Sequence, residues 1–366
     1  MRYSLRWGVL LAALVFFGAM GTVSAEAPED SADPSLLIST DRLQSLLSNL
    51  DIRIIDLRAP EKFQEGHIPY ALSLPARAVL DSASRIEGAR RGDAELTRMF
   101  GRLGIGKETH VVLYDDKGGH QAARILWILH YLGHQKVSVL DGGLPKWQEE
   151  GRHITQQTRQ VKREYFPMDL TPRRLATADW ILDHMRDPDL VIIDVRPPEK
   201  YVESHIPGAI NIPWKKNLNA DETWKRPEEL RALYESSGVT KDKKIVVYCQ
   251  GGNHNAHTYL TLKALGYPRV RSYDRAWPEW GSDPSLPKSV GLAPGSGDAG
   301  DRDREQEMGG PQQAEQGKQQ EGHELQQVAE ARGTSRLNVV GMIGPIGLIL
   351  ALMGIMVAVI WRIFRH

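Results

Sequence analysis

The sequence of 366 residues contains a single cysteine, Cys249. One cysteine excludes an internal disulfide and any metal site built from cysteines alone. A surplus of charge is also absent, because 46 Lys and Arg residues balance 46 Asp and Glu residues. Nucleic-acid-binding domains carry a basic surplus or stripe, so we expect no nucleic-acid partner. The hydrophobic fraction of 41% is still sufficient for packed cores. The lone thiol is therefore the first candidate for a functional group.

The first 25 residues have the pattern of a secretory signal peptide. Arg2 and Arg6 form a basic start, residues 7–19 form an apolar segment, and small residues follow at 23–25. This order matches the charged, apolar and cleavage regions of an export signal. The apolar segment is short for a bilayer-spanning helix, so we expect cleavage and not an uncleaved anchor.

The C-terminal region predicts a membrane anchor. Residues 337–361 contain no charged residue, and the run is long enough for one transmembrane helix across about 30 Å of hydrocarbon. Residues 284–336 are rich in Gly, Gln, Glu, Asp and Pro, which predicts a disordered linker. Combined with an export signal, this pattern predicts a single-pass C-terminal anchor. The body of the protein would then lie on the periplasmic side of the inner membrane.

The body between these ends is an internal duplication. Residues 54–75 read IIDLRAPEKFQEGHIPYALSLP, and residues 192–213 read IIDVRPPEKYVESHIPGAINIP, at a constant offset. A repeat of this length indicates two copies of one structural unit. We place the first domain at 34–152 and the second domain at 172–283.

Two shorter blocks extend the duplication. Residues 110–123 match residues 245–257, and this match aligns Asp115 with Cys249. The last block pairs LDGGLPKW at 140–147 with YDRAWPEW at 273–280. The first domain therefore lacks the thiol at the position where the second domain has it.

Each domain has the pattern of an α/β fold. Short apolar runs, such as 191–195 and 245–248, suit buried parallel strands. Their alternation with helical stretches predicts a parallel sheet flanked by helices in each domain. The expected helices are 43–50, 120–132, 180–185 and 255–265. Ligands of such sheets bind beyond the carboxyl ends of the strands.

Cys249 follows a predicted strand and precedes a predicted helix. The loop after it consists of Gln250, Gly251, Gly252, Asn253 and His254. Its two glycines allow the backbone to curl so that N–H groups point inward and form an anion-binding nest. A helix that begins near Asn255 would add its positive end. Both effects favour a thiolate, which is the nucleophilic form of cysteine.

These motifs resemble those of the tandem-domain rhodaneses, the sulfurtransferases of the thiosulfate and 3-mercaptopyruvate type. The resemblance rests on the D-x-R…HIPGAINIP block at 194–213, the Tyr-Cys loop, and YDRAWPEWG at 273–281. It implies that the second domain is catalytic, with Cys249 as the nucleophile, and that the first domain is an inactive copy. It also implies a persulfide mechanism that needs no cofactor and no metal.

Roles around the cysteine follow from the resemblance and from the residues themselves, with some departures from the family. The loop residues 250–254 would bind the substrate, but the Arg and Lys that follow the cysteine in thiosulfate enzymes are missing here. Lys200 stands where the family has a substrate-contacting Arg. His254 would supply charge or move a proton, with a pKa near the ambient range. Asp194 and Arg196 would support the site as a capping pair.

The sequence therefore predicts transfer of sulfur from a small donor, similar to thiosulfate or mercaptopyruvate, to a thiol or to cyanide. A protein acceptor is compatible with the same chemistry. A cysteine phosphatase is disfavoured, because position six after the cysteine is Asn255 and not the Arg that grips phosphate. The alternative from a different class is a non-enzymatic, membrane-tethered persulfide carrier or partner-binding scaffold.

Overall fold

The computed structural model describes residues 33–291. The predicted signal peptide, the predicted membrane anchor and most of the predicted linker lie outside the described residues. Between residues 33 and 291, no helix is both long and apolar enough to cross a membrane.

The first domain contains one five-stranded sheet in which every pairing is parallel. Its strands follow the spatial order β1-β5-β4-β2-β3. They are β1 (Leu37–Ile38), β2 (Ile52–Asp56), β3 (Leu72–Ser73), β4 (His110–Tyr114) and β5 (Val137–Leu140). The helices are α1 (Thr40–Leu46), α2 (Pro60–Glu65), α3 (Asp93–Arg102), α4 (His120–Tyr131) and α5 (Gly143–Glu149).

The second domain repeats this sheet in the order β6-β10-β9-β7-β8, again with parallel pairings only. Its strands are β6 (Leu175–Ala176), β7 (Leu190–Asp194), β8 (Ile210–Asn211), β9 (Lys244–Tyr248) and β10 (Val270–Tyr273). The helices are α6 (Ala178–His184), α7 (Pro198–Glu203), α8 (Pro227–Glu235), α9 (Asn253–Ala264) and α10 (Ala276–Trp280). The prediction of two parallel sheets flanked by helices is confirmed.

Both faces of each sheet are buried, which explains the continuous apolar runs of the central strands. Side chains alternate between the two faces of a strand. In β9, Ile245 and Val247 join a core that is shared by both domains, whereas Val246 and Tyr248 join a core of the second domain alone. By the same alternation, Cys249 points into the shared core.

Helices α4 and α9 pack against each other between the two sheets. In α4, every residue from Ala122 to Tyr131 is buried. A helix that is buried on all sides needs no polar face, and eight of the twelve residues of α4 are apolar or aromatic. The residues that depart from this pattern in α4 and α9 include Arg124, Asn255 and His257, which are all buried. They lie close to the loops that follow β4 and β9.

The helix boundaries differ from the sequence expectations by a few residues. Helix α9 begins at Asn253 and not at Asn255, because Gly252 adopts the left-handed conformation at φ +88° and turns the chain into the helix there. Asn253 and His254, expected in the loop, therefore belong to the first turn. Helix α1 begins earlier than expected, at Thr40, because the Ser39 side chain accepts a hydrogen bond from the backbone N–H of Arg42.

Candidate active site

Cys249 lies at the carboxyl end of β9 and is almost completely buried, with 1% of its surface exposed. Its carbonyl oxygen accepts a 3.0 Å hydrogen bond from the backbone N–H of Trp277, which lies in α10, the helix after β10. The strand and this contact fix the backbone on both sides of the thiol. The side chain therefore has a defined direction, into the space between the domains.

Two backbone N–H groups of the following loop point at the sulfur. Gly252 N lies 3.0 Å from Cys249 Sγ, and Gly251 N lies 3.3 Å from it. This is the nest that the two glycines predict. The first turn of the 12-residue helix α9 follows directly, so the positive end of its dipole also faces the sulfur.

Asn255 completes the surroundings of the thiol. Its Oδ1 lies 3.4 Å from Sγ and accepts a hydrogen bond from the thiol. Its Nδ2 donates to Ser272 Oγ and to the Tyr273 carbonyl, both at 3.0 Å, which fixes the orientation of the amide. From the sequence, Asn255 is expected as the start of a helix and as evidence against a phosphatase, but not as a contact of the thiol. Its position six residues after the cysteine, within the first turns of the helix, was the signal for its proximity.

The equivalent loop of the first domain binds a carboxylate. Asp115, with 1% exposure, accepts hydrogen bonds of 2.8–3.0 Å from four backbone N–H groups. The donors are Lys117, Gly119, Gln121 and Ala122. The same strand–loop–helix unit that holds Cys249 therefore stabilises a buried negative charge in the first domain.

His254 packs among aromatic rings and does not point freely into solvent. Its ring stacks on Trp214 at 4.7 Å and meets the edge of His120 from the first domain at 4.9 Å. Burial, with smaller contributions from His120 and Lys215, lowers the pKa of His254 to about 4. The expected pKa near the ambient range is therefore corrected. At neutral pH this ring is uncharged and supplies no cation to the site.

Lys200 and Gln250 make no polar contact with the sulfur. Lys200 lies on α7 with about half of its side chain exposed, and its Nζ pairs with Glu203 at 2.9 Å. Gln250 is exposed beside the nest. In the first domain, however, the equivalent Lys62 pairs with Asp116, which is the counterpart of Gln250. A lysine at this helix position can thus reach the loop.

Asp194 and Arg196 brace the end of the neighbouring strand β7. The Arg196 guanidinium pairs with the Asp194 carboxylate at 2.6 Å and donates to the Ser204 carbonyl at 2.7 Å. Tyr248 Oη donates to Asp194 at 2.7 Å, and burial, together with Asp194, holds the pKa of Tyr248 well above its ordinary value. Asp56, Arg58 and Tyr114 form the same network in the first domain. Its presence beside the thiol-free loop indicates a structural role for both pairs.

The first domain contributes a buried cation beside the Cys249 loop, which the sequence reasoning missed. Arg124 on α4 pairs with Asp274, the residue after β10, at 2.6 Å. The guanidinium packs directly against Gly252, so closely that a side chain at position 252 would overlap Nη1. Apolar residues flank Arg124 on both sides at 122–129, and a charged residue within such a run was the available signal.

No group of three or more His, Cys, Asp or Glu residues within 33–291 is arranged to hold a metal ion.

The fold and the cysteine loop define a class of protein, and the comparison with known families agrees. A family model described as a rhodanese-like domain matches residues 39–150 and 177–283. The chain belongs to the rhodanese family and contains two rhodanese-like domains.

Individual relatives are named as a sulfur carrier protein and as sulfurtransferases. The sulfur carrier protein TtuD of Thermus thermophilus is 36% identical over 282 residues, which cover 71% of this chain and 98% of that protein. The thiosulfate sulfurtransferase of Azotobacter vinelandii is 33% identical over 267 residues, with the same coverage of both chains. Among solved structures, the 3-mercaptopyruvate sulfurtransferase SseA of Escherichia coli is 29% identical with a TM-score of 0.60. That match covers 66% of this chain and 98% of SseA.

Proposed function

We propose that the protein is a sulfurtransferase that carries sulfane sulfur as a persulfide on Cys249. The Cys249 thiolate attacks the outer sulfur of a small donor such as thiosulfate. A bond forms between the two sulfur atoms, the donor's own S–S bond breaks, and sulfite leaves with the electron pair. A second nucleophile, cyanide or a thiol, then attacks the terminal sulfur and releases the Cys249 thiolate. The two steps balance without an external oxidant or reductant.

The observation that carries this proposal is the pair of backbone N–H groups on the cysteine sulfur. Gly252 N and Gly251 N lie 3.0 and 3.3 Å from Sγ, in a loop whose first-domain counterpart holds the Asp115 carboxylate. Preorganised N–H donors of this kind stabilise negative charge that develops on a reacting group. In the transfer reaction that charge lies on the thiolate and then on the persulfide.

The direct test is intact-mass analysis of the protein after incubation with thiosulfate or, separately, with 3-mercaptopyruvate. The proposal expects a gain of one sulfur atom with at least one donor, and loss of that gain on addition of cyanide. The Cys249→Ser variant should gain nothing. A sulfur that remained in Cys249→Ser, or no gain with either donor, would contradict the persulfide mechanism. The donor that loads the protein faster identifies the preferred substrate class.

A second candidate is a sulfur carrier that delivers its persulfide only to a partner protein. The observation that favours it is the similarity to a protein named as a sulfur carrier. Steady-state kinetics distinguish the two functions. An enzyme gives repeated turnover with a small donor and a small acceptor, in a ping-pong pattern. A carrier accepts one sulfur per molecule and keeps it when only cyanide or small thiols are present.

The proposal includes a location, supported by the sequence pattern at 1–25 and 337–361. The body would be exported and held at the periplasmic face of the inner membrane by a single C-terminal helix. Fractionation of cells that express the full chain tests this. Retention in the membrane fraction after alkaline washing, with digestion of the body by protease added to spheroplasts, is the expected result. A protected body would contradict the orientation.

A further inference from the structure

The first domain reaches both glycines of the Cys249 loop. Arg124 of α4 packs on Gly252, and its Nη2 also donates to the Gly88 carbonyl at 3.0 Å. Gly88 in turn lies so close to Gly251 that an added Cβ would come within 2.5 Å of the Gly251 carbonyl oxygen. The two backbone N–H groups that contact the sulfur therefore belong to residues that the first domain holds in place.

Arg124 is buried, and part of its guanidinium group has no hydrogen-bond partner among the described residues. Only 1% of its surface is exposed, and its Nε and Nη1 atoms have no hydrogen-bond partner among residues 33–291. Burial of a guanidinium is costly unless its charge is compensated. The ion pair with Asp274 provides one compensation, but Asp274 also lies 3.4 Å from Arg90 Nε. One buried carboxylate is therefore shared between two cations beside the loop.

The internal repeat identifies the residue of the second domain that corresponds to Arg124. Since α4 begins at His120 and α9 begins at Asn253, the counterpart of Arg124 is His257. Burial holds the pKa of His257 well below its ordinary value, so this ring is neutral, and it stacks on Trp224 at 4.4 Å. Trp224 is also the residue that packs against Gly119 of the Asp115 loop.

The second domain's Asp274 also has a counterpart in the first domain. Asp141, the counterpart of Asp274, accepts a 2.8 Å hydrogen bond from the backbone N–H of Trp224. The glycines of the loop that already contains a carboxylate contact uncharged side chains of the second domain, namely Trp214, Leu218 and Trp224. The loop that contains the thiol faces an arginine.

We propose that Arg124 is a positioning residue for sulfur transfer, through which the first domain keeps the Gly251 and Gly252 N–H groups directed at Cys249 Sγ and places positive charge behind them. It acts through Gly252 and not by contact with the donor. The cation that the loop sequence lacks is supplied from the other domain. The first domain is therefore a working part of the active site, although it has no nucleophile of its own. This inference rests on the proposed function.

The test compares variants beside the Cys249 loop with a variant at the corresponding position beside the Asp115 loop. In Arg124→Met we expect kcat for sulfur transfer to fall about tenfold or more, with the KM for thiosulfate changed less than twofold. Arg124→Lys, which keeps the charge, should recover part of that loss. Asp141→Asn is the matched control on the thiol-free side, and its kcat should stay within twofold of the unmodified protein.

The pH dependence of persulfide formation separates this role from simple support of the fold. Loss of the cation in Arg124→Met should raise the pH at which the rate is half-maximal, by about one unit. Loss of the carboxylate in Asp274→Asn leaves Arg124 less neutralised and should move it to lower pH. Opposite shifts are not expected from two variants that merely loosen the structure. If Arg124→Met does not fold, Arg124→Lys and Asp274→Asn still provide the test, because the former should keep the profile and the latter should shift it.

The inference is overturned if the Arg124 and Asp274 variants transfer sulfur with the same kcat and pH profile as Asp141→Asn. It is also overturned if activity falls only in proportion to the unfolded fraction, measured by circular dichroism. If the proposed function itself is wrong, the result differs from both of these outcomes, because the unmodified chain then gains no sulfur at Cys249.

Discussion

Asp115 and Cys249 occupy equivalent positions at the ends of β4 and β9, and each accepts hydrogen bonds from the backbone of the loop that follows it. The carboxylate receives four N–H groups and the sulfur receives two. One reason is length, because five residues separate β4 from α4 and only four separate β9 from α9. The first domain has the same kind of anion-binding loop, but the group bound there is a carboxylate, which cannot carry sulfur.

The first prediction concerns Asp115→Ala. The substitution leaves four backbone N–H groups at a buried site without their acceptor, so we expect a loss of about 2–4 kcal/mol in the free energy of unfolding. Sulfur transfer, measured well below the melting temperature, should remain close to that of the unmodified protein, since Asp115 does not contact Cys249. Urea unfolding and steady-state kinetics measure the two effects.

Asp116→Ala is the matched control for this prediction. It removes the pair with Lys62, whose side chain is half exposed, and such pairs contribute about 0–1 kcal/mol. Loss of catalysis in Asp115→Ala without loss of stability would show that the first loop takes part in the reaction.

The second prediction concerns Lys200. If this lysine leaves Glu203 to meet an anionic donor, Lys200→Gln should raise the KM for thiosulfate about two- to fivefold, with kcat unchanged. The effect should be small, because both partners of the pair are more than half exposed, and it should shrink at high salt. Lys62→Gln is the equivalent change in the first domain and should leave KM unaltered. An unchanged KM in Lys200→Gln would remove Lys200 from the binding site.

The duplication made much of the fold predictable from the sequence. Strands β7 and β9 are continuous apolar runs because both faces of the sheet are covered, and the repeat gives each strand a partner of the same kind. The position of Cys249 beyond a strand, followed by two glycines, was enough to predict a nest around the sulfur. These features depend on residues that are neighbours in the sequence.

The contacts that cross between the domains were not predictable in the same way. Arg124 and Gly252 are distant in sequence, and only the packing of α4 against α9 brings them together. The pKa of His254 likewise depends on Trp214 and on His120 from the other domain. Local sequence describes what each loop can do, whereas the charge and burial around it are set by the neighbouring domain.

The third prediction concerns His254 and acid stability. The pKa of this ring is about 4 in the folded protein, against about 6.5 in an unfolded chain, so between these values the unfolded state binds the proton and the folded state does not. Stability must therefore fall as the pH drops from about 6.5 towards 4. From this shift we expect His254 to account for about 2 kcal/mol of the loss between pH 7 and pH 5. Urea unfolding at both pH values, on the unmodified protein and on His254→Gln, measures this share together with the smaller coupling of His254 to His120 and His257. The same pH dependence in the two proteins would show that His254 is not the buried, neutral ring described above.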